Sequence, residues 1–264
     1  MTDTAPSPLL LAPRADGRAP GALHVLLVLV RFEARRWWLR PTGWIQTAVY
    51  LAAVAGIGGA AVLQAASAAP GAVADPTELL MAPFVMHLLF ASAGMILTAQ
   101  GAIVGERHDG TAAWVLARPV GRPVWLASKG LALLGSFVVS SVVLPLAALQ
   151  AVWTFGGMAM TPTQLLVAGL AMSLTVAFWL AVTLLAGTLF DSRGAVSGLA
   201  FGTLFVLIQV GQRWTGLLPS GIPFELGRWL HDGTPMAVTG LVLTVGLALA
   251  TAALATHRFS RMDL

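Results

Sequence analysis

The residue types that catalysis recruits are scarce in this chain, and none is spaced for it. Cysteine is absent, which removes disulfides, thiolate metal sites and cysteine nucleophiles. No His-Glu-x-x-His segment places two zinc ligands on one helix face. The Gly-x-Ser-Gly pattern of an intramembrane serine nucleophile is missing too. A phosphate-binding loop needs Gly-Lys followed by Ser or Thr. The one lysine, Lys129, stands between Ser128 and Gly130, so the chain is not expected to hold ATP in that way. Met81, Met86 and His87 are donors of the kind copper accepts. Core filling is the simpler reading of their apolar surroundings.

One stretch, Gly105 to Trp125, has chemistry suited to contact. Glu106 to Asp109 read as a charged helix exit, Gly110 permits a break, and Thr111 is a good N-cap. One or two helical turns follow from Thr111 to Ala117, carrying apolar Trp114, Val115 and Leu116. Arg118-Pro119 ends them, because the residue before proline avoids the helical region. A short helix between two apolar segments is a docking knob for a soluble partner.

The elements around that stretch belong in lipid. The 264 residues are 57% hydrophobic and only 10% charged, and the mean hydropathy is +0.83. A soluble domain carries about 25% charged residues. A helix crossing about 30 Å of hydrocarbon needs roughly 20 apolar residues. The apolar runs predict six such spans, at about 44–66, 79–104, 125–152, 164–189, 194–212 and 235–256. Gly156-Gly157 and Thr161-Pro162-Thr163 divide what is otherwise one charge-free run into spans three and four. The predicted class is therefore an all-α integral membrane protein. With six spans, every basic residue except Arg213 and Arg228 falls on one side, which predicts cytoplasmic termini in the plasma membrane. The modest net charge of +4, with basic residues beside apolar runs, speaks for membrane orientation rather than nucleic-acid binding.

Within the spans no carboxylate is expected, which argues against a proton relay or ion-coupled pump. Gln46, Gln64, His87, Gln100, Gln150 and Gln209 are the larger polar groups. They either line a path or bond between helices. Residues 1–20 read as a disordered cytoplasmic tail and 257–264 as a second short tail. Leu23–Val30 is short enough for a signal peptide, but Arg31, Glu33, Arg35 and Arg36 stand where a cleavage site would be. Residues 21–43 are expected to form an interfacial helix. In it Val30, Ala34, Trp37 and Trp38 share one side, and Arg31, Arg35, Arg36 and Arg40 share the other. The alternative is a basic linker held by anionic lipid. Gly194, Gly198 and Gly202 form a small-residue stripe on span five, with Gly101 and Gly105 on span two. The segment 213–234 is too broken to span and suggests a pair of short interfacial or re-entrant helices; a plain interfacial aromatic loop is the alternative.

The 105–122 stretch resembles the permease subunits of type-2 ABC transporters, the exporter-type membrane domains. The matching residues are Glu106, Arg107, Gly110, Thr111, Val115, Leu116, Pro119, Val120 and Arg122. Gly121 departs from the pattern, which has Ser or Thr there. The resemblance implies that this segment contacts a separate nucleotide-binding ATPase subunit, which would bind ATP and Mg. It implies no cofactor and no enzymatic activity on this chain. It also implies a second permease copy or paralogue, with span five near the two-fold axis; internal packing is the other reading of the glycine stripe. A non-transporting membrane anchor or sensor that recruits a cytoplasmic ATPase through the same loop is the alternative function.

Overall fold

The computed structural model describes residues 21–67, 76–117, 120–211, 217–233 and 235–262. The protein is an all-α, multi-pass membrane protein, and six of its helices are long and apolar enough to cross a bilayer. Helix α1 is Ala22–Leu39. Helix α2, Pro41–Ser67, is the first span. Helix α3 runs through Pro76–Ala99 and, past Gln100, Gly101–His108. Helix α4 is the short Thr111–Leu116. The remaining spans are α5 (Arg122–Phe155), α6 (Pro162–Leu189), α7 (Arg193–Gly211) and α9 (Val238–Ser260). Between the last two lies α8, Ile222–Asp232. The predicted tail 1–20 and the tip of the second tail lie outside the described residues.

The breaks have local causes. Helix α5 ends on Gly157, whose φ of 76° is open to glycine and strained for other residues. There the Gly157 N–H donates to the Thr154 carbonyl and the Met158 N–H to that of Trp153, closing the helix end. Helix α6 starts with a reciprocal cap. Thr161 Oγ1 accepts from the Gln164 N–H, and Gln164 Oε1 accepts from the Thr161 N–H. Pro162 occupies the first helical turn, where its missing N–H costs nothing. The charge-free run therefore folds back on itself.

Two spans carry single π turns, Ala52–Gly56 in α2 and Val139–Val143 in α5. In α5 the cause lies two residues further on. Pro145 has no N–H to donate to Ser141, and its ring crowds the Ser141 carbonyl, so the local register widens. The buried His87 ring of α3 lies against that Ser141 backbone. Met81 of the former copper candidates packs on Gly227 of α8 instead.

The core is built around α6, the most buried of the six spans; α7 and α9 are the least. Trp179, Met172, Val176 and Ala168 of α6 face Phe84, Met95 and Ile96 of α3 and Phe137 and Leu149 of α5 within one apolar cluster. Lipid tails are as apolar as leucine, so close packing and interhelical hydrogen bonds hold such a bundle together. Gln46 of α2 donates to Thr98 of α3 at 3.1 Å, and Gln150 clasps the backbone of Met160 through both amide ends. Those two glutamines join elements; Gln64 and Gln209 are exposed.

Two expectations need correction. Helix α4 begins at Thr111, and the Gly110 carbonyl already accepts the first helical bond from the Trp114 N–H. The cap position is thus Gly110, with φ 68°, and Thr111 is the first helical residue. Among the described residues of 213–234 there is one helix, α8, after a single 3-10 turn at Pro219–Gly221, in place of a helix pair. Ile222, Pro223 and Leu226 of α8 are buried, and the helix closes over the start of α3.

One close interhelical approach sets a prediction. A Cβ on Gly94 would stand 1.9 Å from the Tyr50 hydroxyl. Gly94→Ala should destabilise by about 1–3 kcal/mol through overpacking. Tyr50→Phe in the same chain should recover part of that loss, which thermal unfolding of the four proteins of the double-mutant cycle in detergent will show.

Candidate functional site

At the end of the bundle where α3 finishes and α5 begins, three helices are tied by charge. Lys129, one helical turn after Trp125 in α5, is only 5% exposed. Its Nζ donates to Glu33 Oε1 of α1 at 2.7 Å and to Glu106 Oε1 of α3. Arg36 of α1 lies 3.9 Å from the same Glu106 oxygen. The ammonium also stands 5.0 Å from the centre of the Trp125 ring, which stacks on Phe259 of α9 at 5.0 Å. Removing an unpaired ammonium from water costs several kcal/mol, so this lysine stays buried only because two carboxylates meet it.

A second ring of contacts surrounds the first. Arg107 pairs with Asp191, in the turn between α6 and α7, at 2.9 Å. The His108 imidazole donates from Nε2 to the Asp191 carbonyl at 2.8 Å. Arg122 Nη1 donates to the carbonyls of Ser260 and Met262, at 3.0 and 2.6 Å, so a cation caps the negative end of α9. The expected tail after span six is therefore helical as far as Ser260 and anchored through Phe259 and Arg122.

The short helix α4 hangs from this platform. Ala112 is buried beneath it, and Val115 and Leu116 pack partly against the core. Trp114 on the outer side is 61% exposed. The residues singled out in the sequence thus divide. Glu106, Arg107 and Arg122 join the helix ends to one another, Val120 is buried, and Gly110 and Thr111 set the helix start. Pro119 lies outside the described residues. The exposed apolar surface comes from Trp114.

Helix α1 departs from the expected face. Val25, Leu29, Glu33 and Trp37, four residues apart, turn towards the bundle. Trp37 meets Phe137 edge-on at 5.8 Å, while Trp38 turns to Trp44, its indole partner at 5.4 Å. Arg31, Arg35 and Arg40 are exposed. On α7, Gly194, Gly198 and Gly202 have no neighbour among the described residues within 4 Å of where a Cβ would be, so the stripe packs on none of the described helices. Gly101 and Gly105 instead accept the side chain of Arg193.

Sequence reasoning missed the Lys129–Glu33–Glu106 triad. The signal was present: one lysine inside an otherwise charge-free membrane segment demands a partner. No protein-family model matches the chain, and no curated protein matches it.

The triad is asymmetric, which gives a test. Lys129→Met strands two carboxylates and should cost about 3–5 kcal/mol, as when a buried pair loses one partner. Glu33→Gln leaves Glu106 on the lysine and should cost distinctly less. Thermal unfolding in neutral detergent, at pH 7, will rank the two variants.

Proposed function

We propose that this protein is the membrane-spanning permease subunit of an ATP-driven ABC exporter. It would couple ATP hydrolysis on a separate cytoplasmic subunit to translocation of an amphipathic substrate. The observation that supports this reading is α4: a two-turn helix presenting Trp114, seated on a platform that touches α1, α3, α5, α6 and α9. Force applied to α4 reaches the buried Ala112 and, through the contacts of α4 with it, the end of α3. The resemblance of residues 105–122 to the type-2 permeases supports the same reading.

In this reading the platform end is cytoplasmic, in the plasma membrane. The described basic residues support that orientation. Arg31, Arg35, Arg36, Arg40, Arg107, Arg122, Lys129, Arg193, Arg258 and Arg261 belong to the platform end, and Arg228 belongs to the other. Helix α1 lies along the cytoplasmic interface with its arginines towards anionic lipid. A second permease copy or a paralogue meets the open glycine stripe of α7. Helix α8 closes the opposite, outer end.

Two measurements test the proposal. The chain has no cysteine, so single cysteines introduced at the exposed Ala117 and Ala159 report topology cleanly. A membrane-impermeant thiol reagent applied to intact cells should label Ala159→Cys and spare Ala117→Cys; the reverse would reject the orientation. Secondly, the tagged protein solubilised from native membranes should carry a stoichiometric ATPase containing a Gly-Lys-Ser or Gly-Lys-Thr loop. Trp114→Glu should weaken that association about 30-fold or more, the scale of an interface hot spot, while membrane insertion is unchanged. An association indifferent to Trp114 would remove α4 as the coupling element.

A further inference from the structure

Beside the triad, a cleft of about 340 Å³ opens between α1, the last turns of α3 and the first turn of α7. Three arginines line it: Arg36 and Arg40 from the end of α1, and Arg193 from the start of α7. Their charges are unequally committed. Glu33 and Glu106, on the inner wall, are both taken by Lys129. Arg36 reaches Glu106 only at 3.9 Å. The side chains of Arg40 and Arg193 make no ion pair or hydrogen bond among the described residues. The remaining carboxylate on the lining, Asp109, is exposed at the rim.

Arg193 is seated by an absence. A Cβ on Gly105 would stand 2.8 Å from its Nη2, and one on Gly101 would stand 3.7 Å from its Nε. The two glycines let the guanidinium lie against the α3 backbone and look into the cleft. Below the arginines the wall becomes apolar, with Leu97, Ala132 and Leu133. Leu97 is exposed, so this wall opens sideways, where the bundle meets lipid. The depth is that of a headgroup layer, because the span α2 starts here and Trp38 and Trp44 stack edge-on beside it.

We propose that this cleft binds one anionic phospholipid, its phosphate held by Arg40 and Arg193 with Arg36 behind, and its acyl chain laid over Leu97. Guanidinium forks match phosphate oxygens in pairs, and in a partly desolvated cleft such bonds are about twice as strong as neutral ones. Basic pockets between spans at the membrane surface recognise headgroups by this chemistry. The apolar floor selects a lipid over a free phosphate ion. The site does not depend on the transport function proposed above.

The test uses the full chain in neutral detergent. Phosphatidylglycerol and phosphatidylcholine with identical acyl chains are titrated in, and retention is counted by native mass spectrometry. Phosphatidylglycerol should be retained with about a tenfold preference or more, and inorganic phosphate should not displace it. The double variant Arg40→Gln, Arg193→Gln should lose that preference while its melting temperature in phosphatidylcholine stays unchanged. Gly105→Ala alters no charge yet displaces Arg193, so it should weaken phosphatidylglycerol retention as well; it decides the matter if the double variant does not fold. Equal retention of the two lipids, an unchanged preference in both variants, or displacement by inorganic phosphate would overturn the site.

Discussion

A single ammonium group organises the charged end of this protein. Lys129 stands inside a membrane helix with two carboxylates closing on it, one from α1 and one from α3. Membrane interiors offer little hydrophobic gain for helix association, so a satisfied charge cluster has unusual leverage over arrangement. It need not add much net stability, since burying three charges offsets most of the Coulomb attraction. Its two ion pairs tie both α1 and α3 to the start of α5, and α4 follows α3 in the chain.

The platform built on that cluster combines several kinds of contact. Stacking of Trp125 on Phe259 brings in α9, the Arg122 cap holds the end of the same helix, and Arg107 with His108 grips the α6–α7 turn. At the other end the polar contacts among the described residues include the Glu225–Arg228 pair, the Ala237 N–H donated to Glu225 Oε2, the Gln150 clasp, the Thr161 cap and the seat of Ser220 on the Leu207 carbonyl. The two π turns lie between these ends, in α2 and α5, where the helix ladder is already loosened.

Much of the fold was legible in the sequence, because a bilayer reduces the problem to length and polarity. All six spans fall within a few residues of their expected limits, and the hairpin at Gly157 and Thr161 follows from turn and cap chemistry. What was not legible depends on distant partners. Periodicity over residues 30–41 placed Trp37 and Trp38 on one face, yet the first turns to Phe137 and the second to Trp44. The face that α1 buries is set by Glu33, whose partner is 96 residues away and invisible to a local pattern. In the same way Arg107 and Arg122 read as contact residues from their motif, while their bonds to Asp191, Ser260 and Met262 arise only in three dimensions.

That sequence distance has a consequence for biogenesis. Glu33 leaves the ribosome long before Lys129 exists, and at about 5–20 residues per second the interval is roughly 5–20 s. Throughout it the nascent α1 has no seat. Its exposed arginines and its tryptophans give it a resting place on the lipid surface, from which it can slide home once the third crossing arrives. Assembly of the platform end is thereby timed by translation itself.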